Sequence, residues 1–343
     1  MSSHVRRLRF EEVSLGAMGA AIAVLYAAAL GDPAVGRFAI ESAKPTPTLA
    51  VAPMVSPGAS PGVSPVVLPE GALEMAPVTS VASLASLFQR VDYRLEGVRL
   101  GEMTVPRVLV DKVPVDLAAI ESVSERKRLF IQLALPIILY VNEKIMADRE
   151  RLIELREDVA RNGRIGAADD RRWFDDLSRR YGLETPDIDA LLRRVDMIPP
   201  SLALAQGAEE SGWGTSRFVR EGNAIFGQRT FVEGAGLVPE RRDSDKSHEV
   251  KTFGGLVESV ASYMTNLNTH FAYDKFREMR QSQRAALGYL DVYTLVEALG
   301  RYSERGDAYI LTIRSIIETN GLRAYDRARL SDGDVLAGVE PNI

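Results

Sequence analysis

There is no cysteine among the 343 residues, which excludes disulfides, thiolate nucleophiles and cysteine-ligated metals together. Histidine is nearly as scarce. His4, His248 and His270 are too scattered for metal-ligand spacing, so neither a metal nor any cofactor is expected. An excess of one charge is missing as well: 42 Lys and Arg stand against 47 Asp and Glu, for a formal net charge of −5. The signs are interspersed, with no basic stripe or tail, and nucleic acid is not an expected partner. What remains is a chain long enough to bury one large domain or two smaller ones.

Long apolar runs are also few. The clearest is VSLGAMGAAIAVLYAAAL at 13–30, which follows Arg6, Arg7 and Arg9. A basic flank before an apolar run is an export signal, and about 18 apolar residues are enough to span a bilayer and exceed most signal-peptide cores. The expectation is an uncleaved membrane anchor over 1–40, with its arginines in the cytoplasm. The rest of the chain would then lie in the periplasm or at the cell surface. Between 41 and 80 the composition turns to Pro, Ser, Val, Ala and Gly, with Pro53, Pro57, Pro61, Pro65 and Pro69 at every fourth position. Neither a helix nor a central strand tolerates that pattern, so a tether reaching on the order of 100 Å is expected.

Residues 81–103 are weakly patterned, and 105–117 read as extended or strand-like. From 124 to about 160, Leu129, Phe130, Leu133, Ile137, Val141 and Ile145 mark an apolar helical face. Ser124 is available as its cap, and Pro136 predicts a kink or an interruption. The apolar part is too short and broken for a second membrane span, so it reads as a core helix. Two short helices follow over 171–183 and 185–195. Residues 225–253 carry the one good strand-turn-strand signal, IFGQRTFV, GLVPERR and HEVKTF around glycine-rich and polar breaks. Helical spacing returns at Val257, Val260, Met264 and Leu267 and continues through Ile310, Ile313 and Ile317. The sum is an α+β arrangement, mostly α. It divides into a helical extension over 81–190, a main domain over 191–325 and a C-terminal tail over 326–343.

The segment SLALAQGAEESGWG at 201–214 is where chemistry is concentrated. Pro199 and Pro200 can open a helix, because a proline in the first turn forfeits a bond that is unmade anyway. Leu202, Gln206 and Glu210 then share one face, and the small residues between them let other elements pack close. Two glutamates at a helix C-terminus oppose the macrodipole. On spacing alone this is either an ordinary helix end with solvated acids or a buried acid whose pKa is raised for proton donation.

AQGAEESGWGTSRF at 205–218, followed by GNAIFG at 222–227, resembles the glucosaminidase domain of glycoside hydrolase family 73, with its pattern A-x-x-E-S-G-W-G-x-S and then N-N-L-F-G. Further segments resemble the Bax-type branch of that family. These are ERKRLFIQLALPIILYVNEKI at 125–145, GLVPERR at 236–242, SYMTNLNTHFAY at 262–273 and YSERGDAY at 302–309. The resemblance implies a lysozyme-like catalytic domain over 191–325 with a small β-hairpin lobe, preceded by a helical extension. It also implies a hydrolase that cuts peptidoglycan glycan strands at the β-1,4 bond after N-acetylglucosamine.

By the same resemblance Glu210 is the general acid, while Glu209, about 100° round the helix, is solvated or paired. A second carboxylate belongs on the hairpin, where Glu240 and Glu249 both fit and Glu240 is favoured. Tyr302 and Tyr309 match the tyrosines of the family's Y-A-T-D-P-x-Y segment, although Ser-Glu-Arg-Gly-Asp stands between them here. Tyr302 is expected to assist catalysis and Tyr309 to bind substrate. Trp213 and Phe226 offer flat faces for a sugar ring, and packing is the favoured role of Phe226. Asn223 matches the first asparagine of N-N-L-F-G, while Ala224 replaces the second. Two alternatives stay open, a lytic transglycosylase-type reaction with a single glutamate and a cell-wall binding or scaffold module without catalysis.

Overall fold

The structure is built around a buried helix at Pro200–Ser211. The computed structural model describes residues 78–239 and 249–332. The expected anchor, most of the expected linker and Glu240 lie outside the described residues.

Ser80 opens α1 (Val81–Arg90) with a reciprocal capping box: its hydroxyl accepts from the Ser83 amide at 3.1 Å, and the Ser83 hydroxyl accepts from the Ser80 amide at 3.1 Å. After α2 (Leu95–Leu100), Gly101 turns the chain in a left-handed conformation, φ 73°. The weakly patterned 81–103 stretch is therefore two short helices. Residues 105–117, expected to be extended or strand-like, form no named strand. Val105 makes one isolated parallel bridge to Leu330, and Val108, Leu109, Val110 and Val113 are buried as packing.

Helix α3 (Val123–Asn162) is the scaffold. Its cap is Ser122 and not Ser124, because Ser122 has the extended backbone that lets its hydroxyl accept from the Glu125 amide. Pro136 neither breaks nor ends the helix, which runs from Val123 to Asn162 through it. Residues 129–142 are buried on every face, and the helix packs against α5 (Ile188–Arg194), α6 (Pro200–Ser211) and α8 (Leu256–Thr269). This helix is long and apolar enough to cross a membrane, yet 83% of its apolar window is buried inside the fold, which makes it a core helix. Gly163 ends it and α4 (Ala168–Arg180) follows.

Every residue of α6 except Glu209 is buried. Pro200 opens it as expected, and α6 packs against α3, α11 (Asp307–Thr319) and a 3-10 turn at Leu322–Arg327. Gly207 is required by that crowding, since a Cβ there would come within 2.9 Å of Ile225 Cγ2. Asp326 fastens the N-terminus of α6, accepting from the Ser201 amide and hydroxyl, both at 2.8 Å. So residues 326–330 of the expected tail pack into the fold, with Leu330 buried. The main apolar core runs from Leu84 to Leu330, continuous across residue 190.

Beyond α7 (Arg217–Gly222) lie β1 (Arg229–Thr230), β2 (Gly236–Leu237) and β3 (Glu249–Lys251). The expected hairpin is a three-stranded antiparallel sheet in the order β1-β3-β2, with Arg229 opposite Val250 and Leu237 also opposite Val250. A second small core of Phe218, Ala224, Val250 and Phe253 joins the sheet to α7. Ala224, standing where the family pattern has asparagine, is therefore a packing residue. The chain closes with α9 (Asp274–Leu287), α10 (Val292–Val296) and α11. The outcome is the expected mostly helical α+β fold of lysozyme-like plan.

Candidate active site

Gly212, Trp213 and Gly214 follow α6 with φ of 58°, 60° and 83°, a left-handed run that stops the helix directly after Glu210 and Ser211. Glycine takes these angles freely, whereas a tryptophan there costs on the order of 1 kcal/mol. The Ser211 hydroxyl stabilises the turn, donating to the Gly207 carbonyl at 2.5 Å and accepting from the Gly214 amide at 2.8 Å. The sequence thus fixes where the helix ends, and with it the position of Glu210.

Glu210 is 3% exposed, and neither of its carboxylate oxygens has a partner in hydrogen-bonding geometry. An ionised acid so placed lacks both water and donors, so burial pushes its pKa well above the ordinary carboxylate range. The neighbouring Glu209 charge pushes the same way, while Tyr309 and Arg305 oppose it. Glu209 is paired rather than solvated: it meets Arg305 at 2.6 Å.

Four phenols surround the acid. Tyr263, Tyr273, Tyr302 and Tyr309 are all buried, and the charge of Glu210 raises the pKa of each after burial has done so. They stay neutral donors. The Tyr263 hydroxyl donates to Gln206 Oε1 at 2.6 Å, and Gln206 Nε2 donates to the Tyr309 hydroxyl at 2.9 Å. Because Tyr309 accepts from Gln206, its own proton is left for Glu210, the acid it acts on. Tyr302 stacks on Tyr309 with centroids 5.4 Å apart, and its hydroxyl makes only a 3.5 Å contact with the Phe226 carbonyl. Gly227 passes beside the carboxylate, since a Cβ there would lie 3.5 Å from Glu210 Oε2.

The other candidates divide. Phe226 is core, stacked on Tyr263 with centroids 3.7 Å apart. Asn223 is buried and caps α7, with its amide donating to the Phe253 carbonyl at 3.0 Å. Trp213 is half-buried against Phe130, with the Lys127 ammonium 4.8 Å from its ring centroid. Glu249 is buried, and its two oxygens accept from the Gly234 and Gly236 amides at 3.2 and 2.9 Å. It fastens the sheet loop.

Four contributors were not singled out from the sequence for a role in the site: Gln206, Tyr263, Tyr273 and Arg305. Gln206 stands one turn before Glu210 on the same face, and Tyr263 and Tyr273 lie in SYMTNLNTHFAY. Arg305 belongs to the segment that departs from the family pattern. So does its neighbour Glu304, which pairs with Arg229 of β1 at 3.8 Å. The two departures are matched by opposite charges on α6 and β1.

Residues 185–322 match the family described as mannosyl-glycoprotein endo-beta-N-acetylglucosaminidase, the glucosaminidase domain. Protein bax of Escherichia coli (strain K12) is 34% identical over 200 residues, which cover 57% of this chain and 69% of that protein. No solved structure matches the chain.

Proposed function

The chain belongs to the Bax-type glucosaminidase-domain family, and from that premise we propose that it hydrolyses peptidoglycan at the β-1,4 bond after N-acetylglucosamine, with Glu210 as general acid. The observation that carries this reading is a buried carboxyl with two unpartnered oxygens amid neutral phenols. Such an acid holds its proton at a pH where an ordinary carboxyl has lost it, and releases it to the leaving glycosidic oxygen. The carboxylate then formed is met by the Tyr309 hydroxyl, oriented by Gln206. Arg305 offsets the adjacent Glu209 charge, so the acid is not pushed so high that it cannot give up its proton.

A second reading, the transglycosylase-type reaction, draws support from Glu249, whose carboxylate is taken up by two backbone amides. A single-glutamate mechanism needs no partner acid. Digestion of purified peptidoglycan by the full chain, with mass analysis of the fragments, separates the readings. N-acetylglucosamine at the new reducing end supports hydrolysis as proposed. Anhydro products, lighter by one water, support the second reading, and intact strands refute both.

For location, the proposal is a membrane-anchored enzyme facing the periplasm or cell surface, supported by the apolar run at 13–30 behind three arginines. Membrane association that resists salt and carbonate washing is the expected outcome. Release into the soluble fraction would refute it.

A further inference from the structure

Glu210 is shut in. Its side chain is buried and neither carboxylate oxygen has a partner, so in this conformation no glycosidic oxygen can reach the proton that the acid is held to give. Part of the enclosure has to yield before a strand is cut. Helix α6 is unsuited to that, being packed into the main core along its length, and Tyr263, Tyr273 and Tyr309 belong to the same core.

Two other segments close over the acid, and they meet each other loosely. One is the turn at 302–306, and the other is the approach to β1 at 226–229, whose Gly227 passes beside Glu210 Oε2. The turn is fastened to α6 and α11: Arg305 meets Glu209 at 2.6 Å, and buried Tyr302 stacks on Tyr309. Toward the strand approach its side chains reach only at long range. The Tyr302 hydroxyl lies 3.5 Å from the Phe226 carbonyl, and Glu304 lies 3.8 Å from Arg229.

The two ends of the strand approach also belong to different cores. Phe226 is stacked on Tyr263 in the main core, whereas Val250, which pairs with Arg229 in the sheet, lies in the small core shared with α7. Gly227 stands between them with φ 56°, in the left-handed region that glycine enters freely. A joint there lets the sheet swing while Phe226 stays in place. The Arg229 side chain is 6% exposed, and Glu304, its one carboxylate partner among the described residues, is 67% exposed. Swinging outward gives the buried guanidinium water in exchange for one long ion pair, so opening has a modest cost.

We propose that the seam between residues 226–229 and the 302–306 turn is the gate to Glu210, and that the Arg229–Glu304 pair is its latch. A glycan strand reaches the acid when the sheet swings away from the turn. This deepens the reading of Glu210 as the acid of a glycan hydrolase and rests on it for the nature of the substrate. Glu304 lies in the segment that departs from the family pattern, so the latch is a property of this chain.

The test fixes the seam covalently and also loosens it, in the full chain. Because the chain has no cysteine, Arg229→Cys combined with Glu304→Cys presents a single pair of thiols to a short bis-maleimide. Access is read without enzyme activity: a water-soluble carbodiimide with an amine labels reachable carboxyls, and tandem mass analysis follows Glu210. The cross-linked chain should leave Glu210 unlabelled, whereas the same variant blocked by a monofunctional maleimide should label it. Glu304→Gln, at an exposed position, should label Glu210 roughly 2 to 5 times faster than the parent, the range of an exposed ion pair. Equal rates in Glu304→Gln and the parent overturn the latch, and undiminished labelling of the cross-linked chain overturns the gate.

In a second arm the same chains digest peptidoglycan. The cross-linked chain should cut nothing and the blocked chain should cut. Glu304→Gln should lower KM by the same factor of roughly 2 to 5, because a state that is open more of the time binds at lower substrate concentration. Digestion by the cross-linked chain at the rate of the blocked one overturns the proposal. If the parent cuts no strand, the hydrolase reading has failed, and the labelling arm alone decides whether the gate exists.

Discussion

Two buried acids lie fourteen positions apart in the same stretch of chain, and they are treated in opposite ways. Asp196, in the loop before Pro199, is 2% exposed and enclosed by arginines. Arg284 donates to both its oxygens at 2.5 and 2.6 Å, with Arg280 at 3.7 Å and Arg149 at 3.9 Å. Burial pushes its pKa up, but the three arginines more than offset this and hold it below the usual range. Glu210, equally buried, has phenols where Asp196 has cations, and its pKa goes the other way. A buried acid with every lone pair satisfied is structural, whereas one left unsatisfied stores a proton. The Asp196 cluster serves the second acid indirectly. Fully buried Arg280 also donates to the carbonyls of Arg193, Arg194, Asp196 and Met197, which fixes the approach to α6.

The largest expected effect comes from breaking the satisfied side. Asp196→Ala leaves Arg280 buried without its counter-ion and should cost about 3–5 kcal/mol of stability, read by denaturant unfolding. Glu210→Gln should do the reverse: hydrolysis falls by roughly 10²-fold or more while the fold survives. Circular dichroism alongside turnover checks both halves.

The pH dependence of stability sharpens the contrast. Asp196 has a lowered folded pKa, so its contribution is present above the ordinary value of 3.8 and is lost as pH falls through the folded value. Glu210 has a raised one, so its contribution is present below the ordinary 4.5 and is lost as pH rises through the folded value. Glu210→Gln should therefore gain stability relative to the parent as pH rises. A parallel pair of stability curves would contradict the raised pKa.

Why α6 and its glutamate were legible, and their surroundings were not, follows from the range of the interactions. The prolines before α6, the small residues within it and the glycines after it are local signals, and they locate Glu210 without knowledge of any other element. The partners are not local. Gln206 meets Tyr263 and Tyr309, 57 and 103 positions away, and no spacing rule spans that distance. The Ser124 cap and an interruption at Pro136, one of the two outcomes expected there, are absent for related reasons. One serine two positions earlier had the right backbone, and burial by three helices outweighs the bond that proline removes. The three-stranded sheet was read as a hairpin because strands of two or three residues leave almost no alternation to detect.

Two smaller effects grade the shell around Glu210. Arg305→Ala removes the cation that lowers the acid's pKa and leaves Glu209 unpaired, and both changes favour the protonated form. The alkaline limb of the pH-rate profile should move to higher pH, and a shift to lower pH would contradict the assignment. Among the tyrosines, Tyr309→Phe removes the hydroxyl that favours the ionised form of Glu210 and should slow hydrolysis by roughly tenfold or more. Tyr302→Phe gives up only a 3.5 Å contact and should cost about threefold or less. Equal losses in the two variants would remove the distinction between them.

The central claim is that Glu210 keeps its proton at a pH where ordinary carboxyl groups have lost theirs. It is tested most directly by NMR titration of the full chain carrying carbon-13 at glutamate side-chain carboxyls, with Glu210→Gln to assign the resonance. The account predicts one carboxyl signal, absent from the variant, whose midpoint lies well above the ordinary 4.5. A Glu210 signal that titrates at or below that value would contradict it.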